Sequence, residues 1–184
     1  ADASAYNQNN DQFAVEMVRR WYDYWMERPG TGLRVSNGGT KIIFSDTNTH
    51  NRGESNYRTS GVVDAMRLPK DAFYAHQVMW NGWVTPDKSM THIVGHWNYE
   101  EYCRDRNNGN MDFKKTVYVV SDAPVVRLFV NGKETGRDSV AYHFLHVFEN
   151  IAFEPGNIKA ISYSADGKAL SEHRIETTGK ATSL

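Results

Sequence analysis

Cysteine is almost absent from this chain of 184 residues: Cys103 stands alone, so no internal disulfide can form. Its neighbours Tyr102 and Arg104 do not make a nucleophile of it, which leaves a spare thiol. An excess of either charge sign is also missing, since 21 Lys and Arg against 22 Asp and Glu give a net charge of -1. Nucleic acid and anionic membranes both require a basic patch, so neither is expected as a partner. No apolar run approaches the length of a membrane span. The opening ADASAYNQNNDQ lacks the charged start and apolar middle of a signal peptide, so the address of an exported protein would lie outside this chain. There is no N-x-[ST] acceptor, no solenoid repeat, and no low-complexity tract beyond NQNND.

What is present is aromatic and ordered. Aromatic residues make up 12% of the chain, five of them tryptophan, enough with the aliphatics to bury one large core or two small ones. The first part reads as helix, strand, polar loop, helix. In DQFAVEMVRRWYDYWMERPG, Asp11 can cap a helix along which Ala14, Val18, Trp21 and Trp25 recur at helical spacing, and Pro29-Gly30 ends it. In TKIIFSD, Ile42, Ile43 and Phe44 are consecutive, as in a strand covered on both faces. A second helix is expected in LPKDAFYAHQVMW, with Pro69 in its first turn and Phe73, Gln77 and Trp80 along one side. From about Trp83 the rhythm changes to short β-like runs. VVRLFV alternates, and the pairs Asn131-Gly132 and Asp166-Gly167 mark tight turns, so an antiparallel sandwich of immunoglobulin type without its disulfide is expected.

Between the apolar run and the second helix lies SDTNTHNRGESNYRTSG, residues 45–61, rich in hydroxyls, amides and charge. Asp46 and Glu54 are too loosely placed around a central glycine to act as a pair of catalytic acids, because acid/base work needs a rigid scaffold. The pairs His92/His96 and His143/His146 lack an H-E-x-x-H helix and a third ligand, so structural histidines are expected rather than a metal site. Trp80, Trp83 and Trp97 are expected to pack at a domain junction.

The order of these segments resembles the carboxyl-terminal part of glycoside hydrolase family two. In that family a phrase of the form G-(I/V)-(L/V)-D-x-x-x-x-P-K-(D/P)-x-(F/Y)-Y closes the catalytic barrel. Gly61, Val62, Val63, Asp64, Pro69, Lys70, Asp71, Phe73 and Tyr74 match it. A second phrase, similar to VELFLNGKSLG, opens an appended immunoglobulin-like domain; Leu128, Phe129, Val130, Asn131, Gly132, Lys133 and Gly136 match that one.

The resemblance implies an α/β part followed by an all-β part: residues 1–80 as the last portion of a (β/α)8 barrel and residues 81–184 as an immunoglobulin-like β-sandwich. Barrel sites lie at the carboxyl ends of strands. The polar loop would then line a sugar pocket, with Asp46, Asn48, His50, Arg52 and Glu54 as substrate-binding residues. The implied enzyme is a retaining β-galactosidase-like hydrolase with no cofactor and no metal. Its two carboxylates stand on strands outside this chain, which alone would be inactive. Where relatives end the eighth strand in tryptophan, this chain has IIFSD, which suggests a substrate other than plain lactose. The partners implied are a galactose-containing glycan and the remainder of the same enzyme, and the location implied is bacterial, periplasmic or secreted. The alternative is a non-catalytic carbohydrate-binding sandwich.

Overall fold

The alternating run VVRLFV forms a strand, Val125–Val130, in which Val126, Leu128 and Val130 are buried while Val125 and Arg127 face outward. Asn131 and Gly132 follow with φ of 49° and 82°, the left-handed pair of a type I′ hairpin. The chain returns as Lys133–Arg137, with Val130 opposite Lys133. Asp166-Gly167 makes a different turn: only Gly167 is left-handed, at 87°, and its N–H closes onto the Ser164 carbonyl at 2.9 Å.

The computed structural model describes residues 14–16, 18–19, 44–47, 59–138 and 140–179. Its contacts divide the chain into two units, Ala1–Trp80 and Asn81–Leu184. In the second unit the strands are β1 (Thr91–Ile93), β2 (Lys114–Ser121), β3 (Val125–Val130), β4 (Lys133–Arg137), β5 (Val140–Tyr142), β6 (Leu145–Ala152), β7 (Asn157–Tyr163) and β8 (Ala169–Glu176). They form two four-stranded sheets with the orders β1-β2-β6-β5 and β4-β3-β7-β8, and every pairing between them is antiparallel. One core takes Val117, Val119, Phe148 and Ile151 from the first sheet and Val126, Leu128, Ile158 and Ala160 from the second, so the sheets are the two layers of a sandwich.

Two expectations need correction here. Trp97 is not a junction residue: it is 1% exposed within the sandwich core. Its Nε1 donates to the Glu154 carbonyl at 2.9 Å, and its ring meets Phe153 edge-on. The segment after β1 is also not all β, because Glu100–Arg106 is a seven-residue helix. Only Cys103 among those residues is buried, so the helix left no periodic apolar pattern in the sequence.

The sheets are tied at one margin by side chains. Thr91 Oγ1 lies 2.7 Å from Ser171 Oγ and 3.0 Å from Ser121 Oγ, and Ser162 Oγ lies 2.8 Å from Ser171 Oγ. The Ile93 amide donates to His173 Nδ1 at 2.9 Å, which requires that nitrogen to be unprotonated.

In the first unit, residues 14–16 and 18–19 are helical, with Ala14 and Val18 fully buried. The helix Asp71–Val84 buries Ala72, Ala75, Val78 and Met79. That is a face of small and flexible residues, not the expected line of Phe73, Gln77 and Trp80; Trp80 is 63% exposed. Pro69 precedes the helix and pairs in an antiparallel bridge with Val63. Trp21, Trp25, Ile42 and Ile43 lie outside the described residues. Phe44, expected to be covered on both faces, is 54% exposed in this chain.

Candidate functional site

The polar loop is anchored at both ends by one lysine. Residues 44–47 run parallel to residues 62–63: the Val62 and Val63 amides donate to the Phe44 carbonyl at 2.9 and 3.1 Å, and the Asp46 amide donates to the Val63 carbonyl at 3.1 Å. Gly61 sits where the two segments touch. A Cβ there would lie 2.4 Å from the Asp46 nitrogen, 2.5 Å from the Ser45 carbonyl carbon and 2.6 Å from the Val63 oxygen. All three are backbone atoms that cannot step aside, so only glycine permits this approach.

That approach brings the Gly61 amide to 2.9 Å from Asp46 Oδ1, to which it donates. Lys70, just before the helix, completes the tie. Its Nζ donates to Asp46 Oδ1 at 2.8 Å, reaches Oδ2 at 2.7 Å, and donates to the Thr59 carbonyl at 3.1 Å. One ammonium therefore grips Asp46, at the start of the polar loop, and Thr59, near its end. Charge-assisted bonds at such distances are the strong kind, and the Lys70 and Asp46 side chains are only 21% and 11% exposed.

A second tie stiffens the return. Ser45 Oγ donates to the Asp64 carbonyl at 3.0 Å. Asp64 Oδ1 accepts the Met66 and Leu68 amides, each at 2.8 Å. The tight turn this creates puts Arg67 at φ 68° and leaves Met66 83% exposed.

Of the five substrate-binding residues expected from the sequence, the structure places Asp46 in the loop base. Asn48, His50, Arg52 and Glu54 lie outside the described residues. Lys70 and Thr59 were not anticipated as site residues. Lys70 carried a signal, since it belongs to the matched P-K phrase, but its partners lie 24 and 11 positions away in the chain and no local pattern links them.

The paired histidines make contacts with neighbouring side chains. His92 lies against His173 with centroids 4.5 Å apart, His96 stacks on Tyr99, and His146 bonds Asp138 from within the sandwich. Among the described residues no group of three His, Cys, Asp or Glu could hold a metal ion, and no helix is long and apolar enough to cross a membrane.

Comparison with known proteins adds a second line of argument. A family model described as a domain of unknown function (DUF4982) matches residues 113–171. A β-glucuronidase of Formosa agariphila is 37% identical over 183 residues, which is 98% of this chain and 16% of that protein. The β-galactosidase BoGH2A of Bacteroides ovatus is 33% identical over 124 residues, covering 67% of this chain and 13% of its own length. The solved structure of a β-glucuronidase from glycoside hydrolase family 2 superposes with a TM-score of 0.70 at 34% identity, over 95% of this chain and 17% of that one. A β-glycosidase from Bacteroides vulgatus shares the fold, with a TM-score of 0.54 at 22% identity over 67% of this chain and 14% of its own. The chain thus spans less than a fifth of each of these four proteins.

Proposed function

Because this chain belongs to glycoside hydrolase family two, we propose that it is one segment of a retaining glycosidase that cleaves β-galactosidic or related bonds in oligo- and polysaccharides. The reaction needs two carboxylates about 5 to 5.5 Å apart, one as nucleophile and one as acid/base. In this proposal both lie upstream of these residues, and the chain alone is inactive. Residues 1–80 form the last portion of the barrel. Residues 81–184 form an immunoglobulin-like domain, a reading supported by sheet orders that correspond to strands A-B-E-D and C′-C-F-G.

The observation that carries the proposal is the double grip of Lys70 on Asp46 and Thr59. A loop lining a barrel mouth must leave and re-enter the scaffold at fixed points if its side chains are to read a sugar, and this tie supplies such a base. Asp46, Asn48, His50, Arg52 and Glu54 then provide donors and acceptors for hydroxyls, with Asp46 also holding the base. The exposure of Phe44 suits a strand whose remaining cover comes from the rest of the enzyme. A periplasmic or secreted location fits a polymeric substrate.

The relative that matches nearly the whole chain is named a β-glucuronidase, so glucuronate is the related sugar to set beside galactose. The test is to assay the full-length enzyme on aryl β-galactosides and aryl β-glucuronides and follow the anomeric product by NMR. Retention is expected on at least one of the two, with no turnover by the 184-residue chain. Arg52→Gln should raise KM about tenfold on the accepted sugar with little change in kcat, the pattern of lost ground-state binding. Inversion, or no glycosidase activity in the full-length enzyme, would overturn the proposal.

A further inference from the structure

The sandwich presents one face that the hydrolase reading does not use. In β3 and β7 the residues pointing away from the core are Val125, Arg127 and Phe129, paired in register with Tyr163, Ile161 and Lys159. They form an apolar and aromatic strip that is not fully covered: Phe129, Ile161 and Tyr163 are half-buried and Val125 is 40% exposed. A cation lies over each ring. The Arg127 guanidinium stands 5.0 Å from the Tyr163 centroid, and Lys159 Nζ stands 6.0 Å from that of Phe129.

The two cations differ in their partners. Lys159 has Glu172 at 3.9 Å, whereas Arg127 has no carboxylate partner among the described residues. A guanidinium held over an aromatic ring offers a fork that fits a carboxylate in two-point fashion, next to apolar area suited to the C–H face of a pyranose ring.

We propose that the outer face of β3 and β7 binds an acidic polysaccharide, with a uronate carboxylate on Arg127 and its sugar ring against Tyr163 and Ile161. The proposal rests on the glycosidase reading only for its choice of a glycan as the occupant; the charge and the rings belong to this face.

The test uses the whole 184-residue chain, labelled with nitrogen-15 and titrated with a short β-linked oligoglucuronate. A neutral oligogalactoside and poly-glutamate of similar charge serve as controls. Amide shifts should concentrate on Arg127, Phe129, Ile161 and Tyr163 with the uronate and be absent there with the neutral sugar. Arg127→Gln, which keeps the aliphatic stem at an exposed position, should weaken binding about tenfold, the equivalent of losing one charge-assisted contact. Tyr163→Leu should weaken it by a similar factor with the fold checked by the same spectrum.

Shifts elsewhere, unchanged affinity in Arg127→Gln, or equal binding of poly-glutamate would overturn the proposal. A full-length enzyme that turns over galactosides but not glucuronides would remove glucuronate as its cleaved sugar and leave this binding intact. Glucuronidase activity without uronate binding to the chain would remove only the present proposal.

Discussion

The two sheets of the sandwich share one core, yet their strands carry different burial patterns. In β6 of the first sheet, Leu145, His146, Val147 and Phe148 are buried in succession, and β2 ends with Val119, Val120 and Ser121 all buried. In β3 and β7 of the second sheet burial alternates strictly, with one side inside and the other partly wet. A strand alternates visibly only when one of its faces meets water. The first sheet is covered on its far side as well. At its margin Phe144 is met edge-on by Trp83, with centroids 5.5 Å apart, and Gly82 comes so close that a Cβ would lie 2.5 Å from the Phe144 ring. Asp122 accepts from Ser89 Oγ at 2.7 Å and from the Met90 amide at 3.0 Å, which ties the segment entering β1 to the end of β2. Among the described residues the second sheet has no such cover, and Val125, Phe129, Ile161 and Tyr163 on its outer face stay partly exposed.

The sharpest way to break this comparison is to place the same charge on each outer face. Val147→Lys should cost roughly 3 kcal/mol or more, because an ammonium is buried without a partner. Val125→Lys should stay within about 0.5 kcal/mol, as for most surface changes. Urea midpoints would check both, and equal costs would mean that the sheets are not differently covered. Next in size, Gly82→Ala should destabilise the chain by about 1–3 kcal/mol through overpacking against Phe144, despite alanine's higher helix propensity. Pairing it with Phe144→Leu should recover part of that loss in the same assay.

The smallest effect lies on the open side, at the β7–β8 turn. The Ser164 hydroxyl donates to the Asp166 carboxylate and holds it below the usual carboxylate range. With the folded value depressed, the turn's contribution is present above the ordinary carboxylate range and is lost as pH falls through the folded value. Ser164→Ala should bring the Asp166 titration, followed by carbon-13 NMR, back toward the ordinary value, with a small loss of stability at neutral pH that disappears as the pH falls below the folded value.

The parts legible in the sequence were those with a local signal. β3 announced itself by alternation, and Asn131-Gly132 by the need for two left-handed residues. Glu100–Arg106 did not, because one buried residue in a single short helix leaves no period to detect. Trp97 was recognisable as a residue that must be buried, but an indole does not reveal which of two cores receives it. His146 was equally opaque: it faces inward beside Val119 in the β2–β6 register, and its partner Asp138 comes from the β4–β5 connection. For the loop base, Gly61 and Lys70 were visible as members of a phrase. Why they must be glycine and lysine emerged only when residues 44–47 and 62–63 came together.

The bonds from Thr91 to Ser171 and from Ile93 to His173 have a further consequence. Bare strand margins recruit other chains into fibrils and swapped dimers, and here β1 and β8, the outermost strands on one side of the two layers, are zipped to each other. Among the described residues the margins left unpaired are the short strands β4 and β5. Aggregation that begins from the folded state should therefore start there.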